Sequence, residues 1–232
     1  FHQSMIKRAL EAGLIEMAVT NPRDFTKSRH RQVDDTIYGG GAGMLMMCQP
    51  LFDACHHVLP EKGPRDRVIF LSPAGKTFNQ DKAKELQRDY DHLVLICGHY
   101  EGVDHRVEEH LADELISIGD YVLTGGELGA MVISDAVARM VPGVLGDAGS
   151  AATDSFYEPI LEYPQYTKPA EYNGWKVPDV LLSGHHANIA RWRRKEALRR
   201  TMAYRPDLLE GQELSKEDRK LMAEIKEELI HS

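Results

Sequence analysis

Apolar runs that end in glycine recur along the first half of this chain. Residues 93–97 stop at Gly98, 114–118 stop at Gly119, and the short piece 121–123 runs into Gly125-Gly126. A further run, 68–71, meets Ser72-Pro73-Ala74-Gly75. Each reads as a strand, and in an open α/β sheet ligands sit just beyond the carboxyl ends of strands. Free backbone N–H and C=O groups there suit the edge of a purine, with Leu71, Ile118 and Leu123 as apolar walls. A single glycine is a turn residue; four such ends on neighbouring strands suggest a ligand pocket.

A second chemical element is cationic. Residues 191–200 read RWRRKEALRR, six cations against one acid. Arg191, Arg194 and Lys195 share one helical face, and Leu198 interrupts the stripe. The preceding Ser183-Gly184-His185-His186 aims a helix N-terminus at a phosphate, and Arg193 and Arg199 add charge beside it. Another basic cluster lies at Arg23, Lys27, Arg29 and Arg31. The glycine-rich loop from Tyr38 to Met44 lacks the Gly-Lys-Ser/Thr ending of a P-loop, and no G-x-G-x-x-G follows a strand. Adjacent histidines point to different sides of a helix, so His56-His57 reads as a surface or partly buried pair.

The elements that hold these residues alternate. A helix over 4–12 closes at Gly13, a good C-terminal stop. Residues 14–19 read as a strand and 49–59 as a helix with Leu51, Phe52, Cys55 and Leu59 on one face. Proline and glycine end the strand 68–71. Asn79 caps a helix running to about Tyr90. Helices follow over 103–112 and 127–140. Strand and helix in alternation predict a mainly parallel α/β sheet. From 143 to 157 the composition is that of a linker. Beyond it, prolines punctuate an irregular stretch, followed by helices over 187–203 and 215–230, the last opening on a Ser215/Asp218 capping box.

The whole chain sets bounds. Its 232 residues suit one large domain or two small ones, and 42% hydrophobic content supports a packed core. Three cysteines without C-x-x-C spacing argue against a disulfide scaffold or a zinc site and fit a reducing, cytoplasmic setting. No run is long enough to span a membrane and no signal-peptide pattern is present. The net charge of −8 disfavours a polyanionic partner, but the basic patches reopen that reading. The chain opens on Phe1 inside a helical pattern, so its natural start is expected upstream.

In order along the sequence stand YGGGAGM at Tyr38, SPAG at Ser72, CGHYEG at Cys97, SIGDYVLTGGEL at Ser117, DSF at Asp154 and LLSGHH…RWR at Leu181. Together they resemble the bacterial tRNA (guanine-N1)-methyltransferase family of the SPOUT class, over nearly the whole chain. The resemblance implies a mainly parallel α/β sheet tied in a deep trefoil knot, with a smaller, mostly helical C-terminal domain. It implies a knotted S-adenosylmethionine-binding domain over 1–145, an interdomain linker over 146–157 and a helical tRNA-binding domain over 158–232. The reaction would be methylation of N1 of the guanosine just 3′ of the anticodon. Cofactor contacts would come from Phe70, Leu71, Ser72, Pro73, Gly98, Tyr100, Glu101, Ile118, Gly119, Tyr121, Leu123, Gly125 and Gly126. Asp154 would be the general base and Arg139 the support for the base's carbonyl. Read without the resemblance, Asp154 is a cap or loop acid and Arg139 a helix-dipole partner. RNA contacts would fall to Ser183, His186, Arg191, Arg193, Arg194 and Arg199. The family pairs as a homodimer with composite sites, and it has been associated with Mg2+, for which Glu101 is the candidate ligand. His99 stands in place of an arginine, Gly129 in place of a proline that would tighten a loop, and His105 in place of a glutamate. Relatives place a strand and a Leu-Phe-Pro turn before the first helix.

Three other readings compete. A ribose 2′-O-methyltransferase of the same class leaves Asp154 unused. A catalytically silent RNA-binding protein needs no cofactor. A nicotinamide oxidoreductase lacks its fingerprint.

Overall fold

The structure, a computed structural model, describes residues 4–145 and 154–230. The expected linker therefore lies outside the described residues over 146–153. Cα proximity divides the chain into two compact units, Phe1–Ala148 and Gly149–Ser232.

The first unit is an α/β fold on a three-stranded sheet of order β4-β3-β5, parallel throughout. Its strands are β3 (Asp66–Thr77), β4 (His92–Ile96) and β5 (Glu114–Ser117). Period-two alternation assigns the two faces of β3. Val68 and Phe70 pack with Leu51, Cys55, Ile96 and Val107, beneath helices α2 (Cys48–Val58) and α4 (His105–His110). Ile69 packs with Leu86, Ile116 and Ile133, beneath α3 (Gln80–Asp89) and α5 (Glu127–Ala138). Helices thus cover both faces, as parallel strands require. Asn79 caps α3 by accepting a hydrogen bond from Lys82 N at 2.9 Å. Helix α1 (Ser4–Glu11) stops at Gly13, whose φ is +67°. A small antiparallel pair, β1 (Asp34–Asp35) with β2 (Leu45–Met46), frames the glycine-rich loop.

Four local expectations need correction. Residues 14–19 form no strand: they have no ladder partner, and Val19 is fully exposed. Nor do residues 121–123, because Tyr121 folds back, its N–H bonding Gly119 O at 3.0 Å and its hydroxyl donating to Ile118 O at 3.2 Å. Strand β3 does not stop at Pro73. It pairs Leu71 with Ile116, loops out through 72–75, and returns to pair Lys76 with the same Ile116. Proline is tolerated there because the excursion needs no ladder donor. Finally, Gly129 sits in the first turn of α5, buried against Leu71, and not in a loop.

In the second unit the hairpin β6 (Glu171–Tyr172) with β7 (Trp175–Lys176) turns on Asn173 and Gly174, both at positive φ as a tight two-residue turn demands. Then come the short α6 (Asp179–Leu182), the long α7 (His186–Tyr204) and α8 (Lys216–Ile230). Helices α7 and α8 bury Leu198, Leu221 and Ile225 between them. Asp218 N donates to Ser215 Oγ at 3.0 Å, the expected cap of α8.

Candidate functional site

At the carboxyl edge of the sheet, main chain lies directly on main chain. A Cβ on Gly75 would fall 2.4 Å from Ile116 N, and one on Gly126 would fall 2.7 Å from Cys97 Cα. Real side chains cannot enter such gaps, so only glycine permits these approaches. Gly126 N donates to Gly98 O at 3.0 Å, which draws the 125–126 segment onto the end of β4. Space beside Gly98 is bounded by Val103 and the Phe70 ring, 3.1 and 3.7 Å from where a Cβ would stand. Leu71 and Ile118 meet over Gly129. Gly119 is at φ +146°, and Ser117 Oγ bridges its N–H and C=O, each at 3.2 Å. Phe70, Leu71, Gly98, Ile118, Gly119, Tyr121 and Gly126 are therefore gathered at one end of the sheet. Ser72 and Pro73 are on the excursion beside them. Leu123 stays exposed at the edge.

Around this cradle the polar groups are partnered locally. His99 Nε2 lies 2.6 Å from Glu127 Oε1, and the His99 side chain is exposed. This pair is absent from the expected site residues; histidine at one glycine-ended strand and glutamate opening the next helix was the available signal. Tyr100, at φ +59°, accepts at its hydroxyl a hydrogen bond from Arg23 Nη2 at 3.4 Å. Glu101 packs over Gly43 of the glycine-rich loop, where a Cβ would fall 2.4 Å from Glu101 Cγ. Its N–H donates to Met44 O at 3.1 Å. The glycine-rich loop thus closes on the 98–102 turn. Burial, with the Glu127 carboxylate nearby, pushes the Cys97 thiol up to about 11, so this thiol is a packed wall and not a nucleophile. Among the described residues, no three His, Cys, Asp or Glu side chains converge to hold a metal ion. Glu101 stands outside any such set.

Arg139 closes the C-terminus of α5, half-buried, its N–H bonded to Asp135 O at 3.1 Å. Asp154 lies in the second unit, half-buried, with its carbonyl accepting from Tyr157 N at 3.3 Å.

The cations of α7 are largely spent within the second unit. Arg191 bonds Glu224 at 2.6 Å. Arg194 bonds Asp218 at 2.8 Å and Glu158 at 2.7 Å. Lys195 bonds Glu224 and Glu228, and Arg199 bonds Glu196 and Glu228. The Arg194 guanidinium holds the Asp218 carboxyl below its usual range. Arg193 differs: its guanidinium lies over the Tyr163 ring, 5.0 Å from the centroid. Ser183 Oγ is engaged at the start of the helix, donating to Val180 O at 2.7 Å and accepting from His185 N at 3.2 Å. His186 is exposed.

A parallel α/β sheet with close main-chain approaches at its carboxyl edge defines an α/β protein of the class in which ligands sit beyond the strand ends. The family described as tRNA (Guanine-1)-methyltransferase TrmD matches residues 1–211, and the chain belongs to it. The tRNA (guanine-N(1)-)-methyltransferase of Halalkalibacterium halodurans is 53% identical over 227 residues, covering 98% of this chain and 92% of that protein. That of Desulforamulus reducens is 54% identical over 231 residues, covering 99% and 91%. That of Bacillus cereus is 53% identical over 227 residues, covering 98% and 93%.

Proposed function

We propose that this tRNA (guanine-N1)-methyltransferase takes its methyl group from S-adenosylmethionine and places it on N1 of the guanosine immediately 3′ of the anticodon. The observation that carries this reading is the pair of close main-chain approaches, Gly75 on Ile116 and Gly126 on Cys97. They draw the ends of β3, β4 and β5 together, with Leu71 and Ile118 over Gly129 as apolar neighbours for an adenine edge. We take these approaches as the crossings of a deep trefoil knot. S-adenosylmethionine, when bound there, supplies an electrophilic methyl on its sulfonium.

This chain's residues must then do three things. The N1 proton must leave, and Asp154 is the base that accepts it. Charge building on O6 needs a cation, and Arg139 supplies the guanidinium. The base must be held in line with the methyl. Among the described residues no donor set for a divalent ion gathers at Glu101, and Glu101 is assigned to the cofactor's amino end.

The catalytic pair falls in two different units, which suits a site completed by a second copy. An unpartnered apolar face on α5 supports a C2 homodimer: Leu128, Met131 and Val132 share one helical side and are 56%, 46% and 48% exposed. Among the described residues no helix is long and apolar enough to cross a membrane. We assign the protein to the cytoplasm, where tRNA is. For RNA, Ser183, His186 and Arg193 offer exposed edges of α7 and its entry. Arg191, Arg194 and Arg199 would have to exchange carboxylates for phosphates.

Asp154→Asn tests the base. Single-turnover methylation should fall at least a hundredfold, within the usual contribution of about 10²–10⁴ from a general base, while S-adenosylhomocysteine affinity is retained. A normal single-turnover rate removes Asp154 from that role.

A further inference from the structure

The second unit holds a cleft of about 430 Å³ between the 163–168 segment and α7. That is within the range of about 300–1,000 Å³ that ligand sites occupy. Its walls include Tyr163, Tyr166, Trp192, Arg193 and Lys168. The Tyr166 and Trp192 rings stand 6.4 Å apart at 51°, and Tyr166 is 50% exposed, so an aromatic face is left open. Arg193 lies on the Tyr163 ring. Arg191, Arg194, Lys195 and Arg199 all have carboxylate partners. Neither Arg193 nor Lys168 has an ion pair among the described residues. Open aromatic faces beside unneutralised cations are the chemistry that takes an unstacked nucleobase and its phosphate.

We propose that this cleft binds an unpaired nucleotide of the tRNA substrate, its base stacked on Tyr166 and Trp192 and its phosphate held by Arg193 and Lys168. The proposal rests on the tRNA reading above and adds a second RNA subsite, lined by residues other than those assigned to methyl transfer. It also relocates the RNA edge of α7. The stripe of Arg191, Arg194 and Lys195 faces α8, whereas Trp192 and Arg193 face the cleft.

Trp192 is one of two tryptophans in the chain, so a Trp175→Phe protein reports from the cleft alone. That protein is titrated with an anticodon stem-loop transcript while tryptophan emission is followed. Saturation should quench Trp192. Tyr166→Ala on the same background should weaken binding roughly tenfold, Tyr166→Phe should restore it, and an abasic replacement at one loop nucleotide should erase the Tyr166→Ala effect. Arg193→Ala should lower the slope of log affinity against log salt by about 1. If the parent methylates tRNA but Tyr166→Ala binds the stem-loop as tightly and Trp192 ignores RNA, the cleft assignment alone fails. Emission that follows protein concentration instead of RNA marks a second copy as the occupant and overturns it equally. A parent that neither binds nor methylates the stem-loop overturns the tRNA reading and the cleft with it.

Discussion

Gly126 has a job no other residue can do. Its N–H reaches Gly98 O, and its Cα faces the Cys97 backbone with no space for a methyl. Gly126→Ala must push two main-chain segments apart, because the obstacle is backbone and cannot rotate aside. The expected cost is about 1–3 kcal/mol of stability, with a larger loss of S-adenosylhomocysteine affinity than Gly39→Ala, which is strained by its φ of +85° but whose Cβ meets nothing within 4 Å, so the comparison is made on affinity. Thermal denaturation and a binding titration on the two variants check this. Equal effects would mean that the crossing at Gly126 does not shape the pocket. His99 also carries a lesson at this scale. The sequence shows a histidine where an arginine is expected; only the fold shows it beside Glu127 at 2.6 Å.

Among the elements, α7 changes most between sequence and structure. Its cations are visible in RWRRKEALRR, but most of the carboxylates that neutralise them are on α8, 24 to 33 residues away. Spacing within one helix cannot reveal a partner on another. Arg194→Ala is therefore expected to act on stability more than on RNA salt dependence. Asp218, nearly buried and bonded through both oxygens to Arg194, is the sharper probe. Asp218→Ala should cost about 2 kcal/mol, as loss of a charged hydrogen-bond pair does. The pH dependence follows from its depressed pKa. The folded form binds its proton less readily than the unfolded form, so the pair's contribution is fully present above the ordinary value of about 4. It is lost as pH falls from there through the lower folded value. Acid titration of the second unit's helical signal should show the parent losing stability across that window and Asp218→Ala losing less. Identical acid curves would contradict the coupling.

Other elements were legible for plain reasons. Asn79 and Ser215 cap helices through local chemistry, and the β3–β5 faces follow alternation. In sequence the excursion 72–75 reads as a strand end because Pro73 and Gly75 break a ladder in general; in the fold the strand leaves its ladder there and rejoins it. Residues 14–19 have strand character but no neighbouring strand to pair with. The hairpin at Asn173-Gly174 carried a readable turn signal, hidden among prolines.

At the level of the whole molecule the chain has two units, and in the proposed function one holds the cofactor while the other carries the base, Asp154, and the RNA edge. The same proposal takes the exposed α5 face as the contact with a second copy. Sedimentation at micromolar concentration should give a dimer, and an acid at Val132 on that face (Val132→Glu) should yield monomers that have lost methyl transfer. Full activity in a monomer would exclude composite sites. The most direct measurement of the central claim is product mapping. The enzyme is given labelled S-adenosylmethionine and tRNA transcripts that differ only at the nucleotide 3′ of the anticodon. Label should appear as 1-methylguanosine at that position, and only where it is guanosine. Label on a ribose 2′-oxygen, or transfer indifferent to that base, would contradict it.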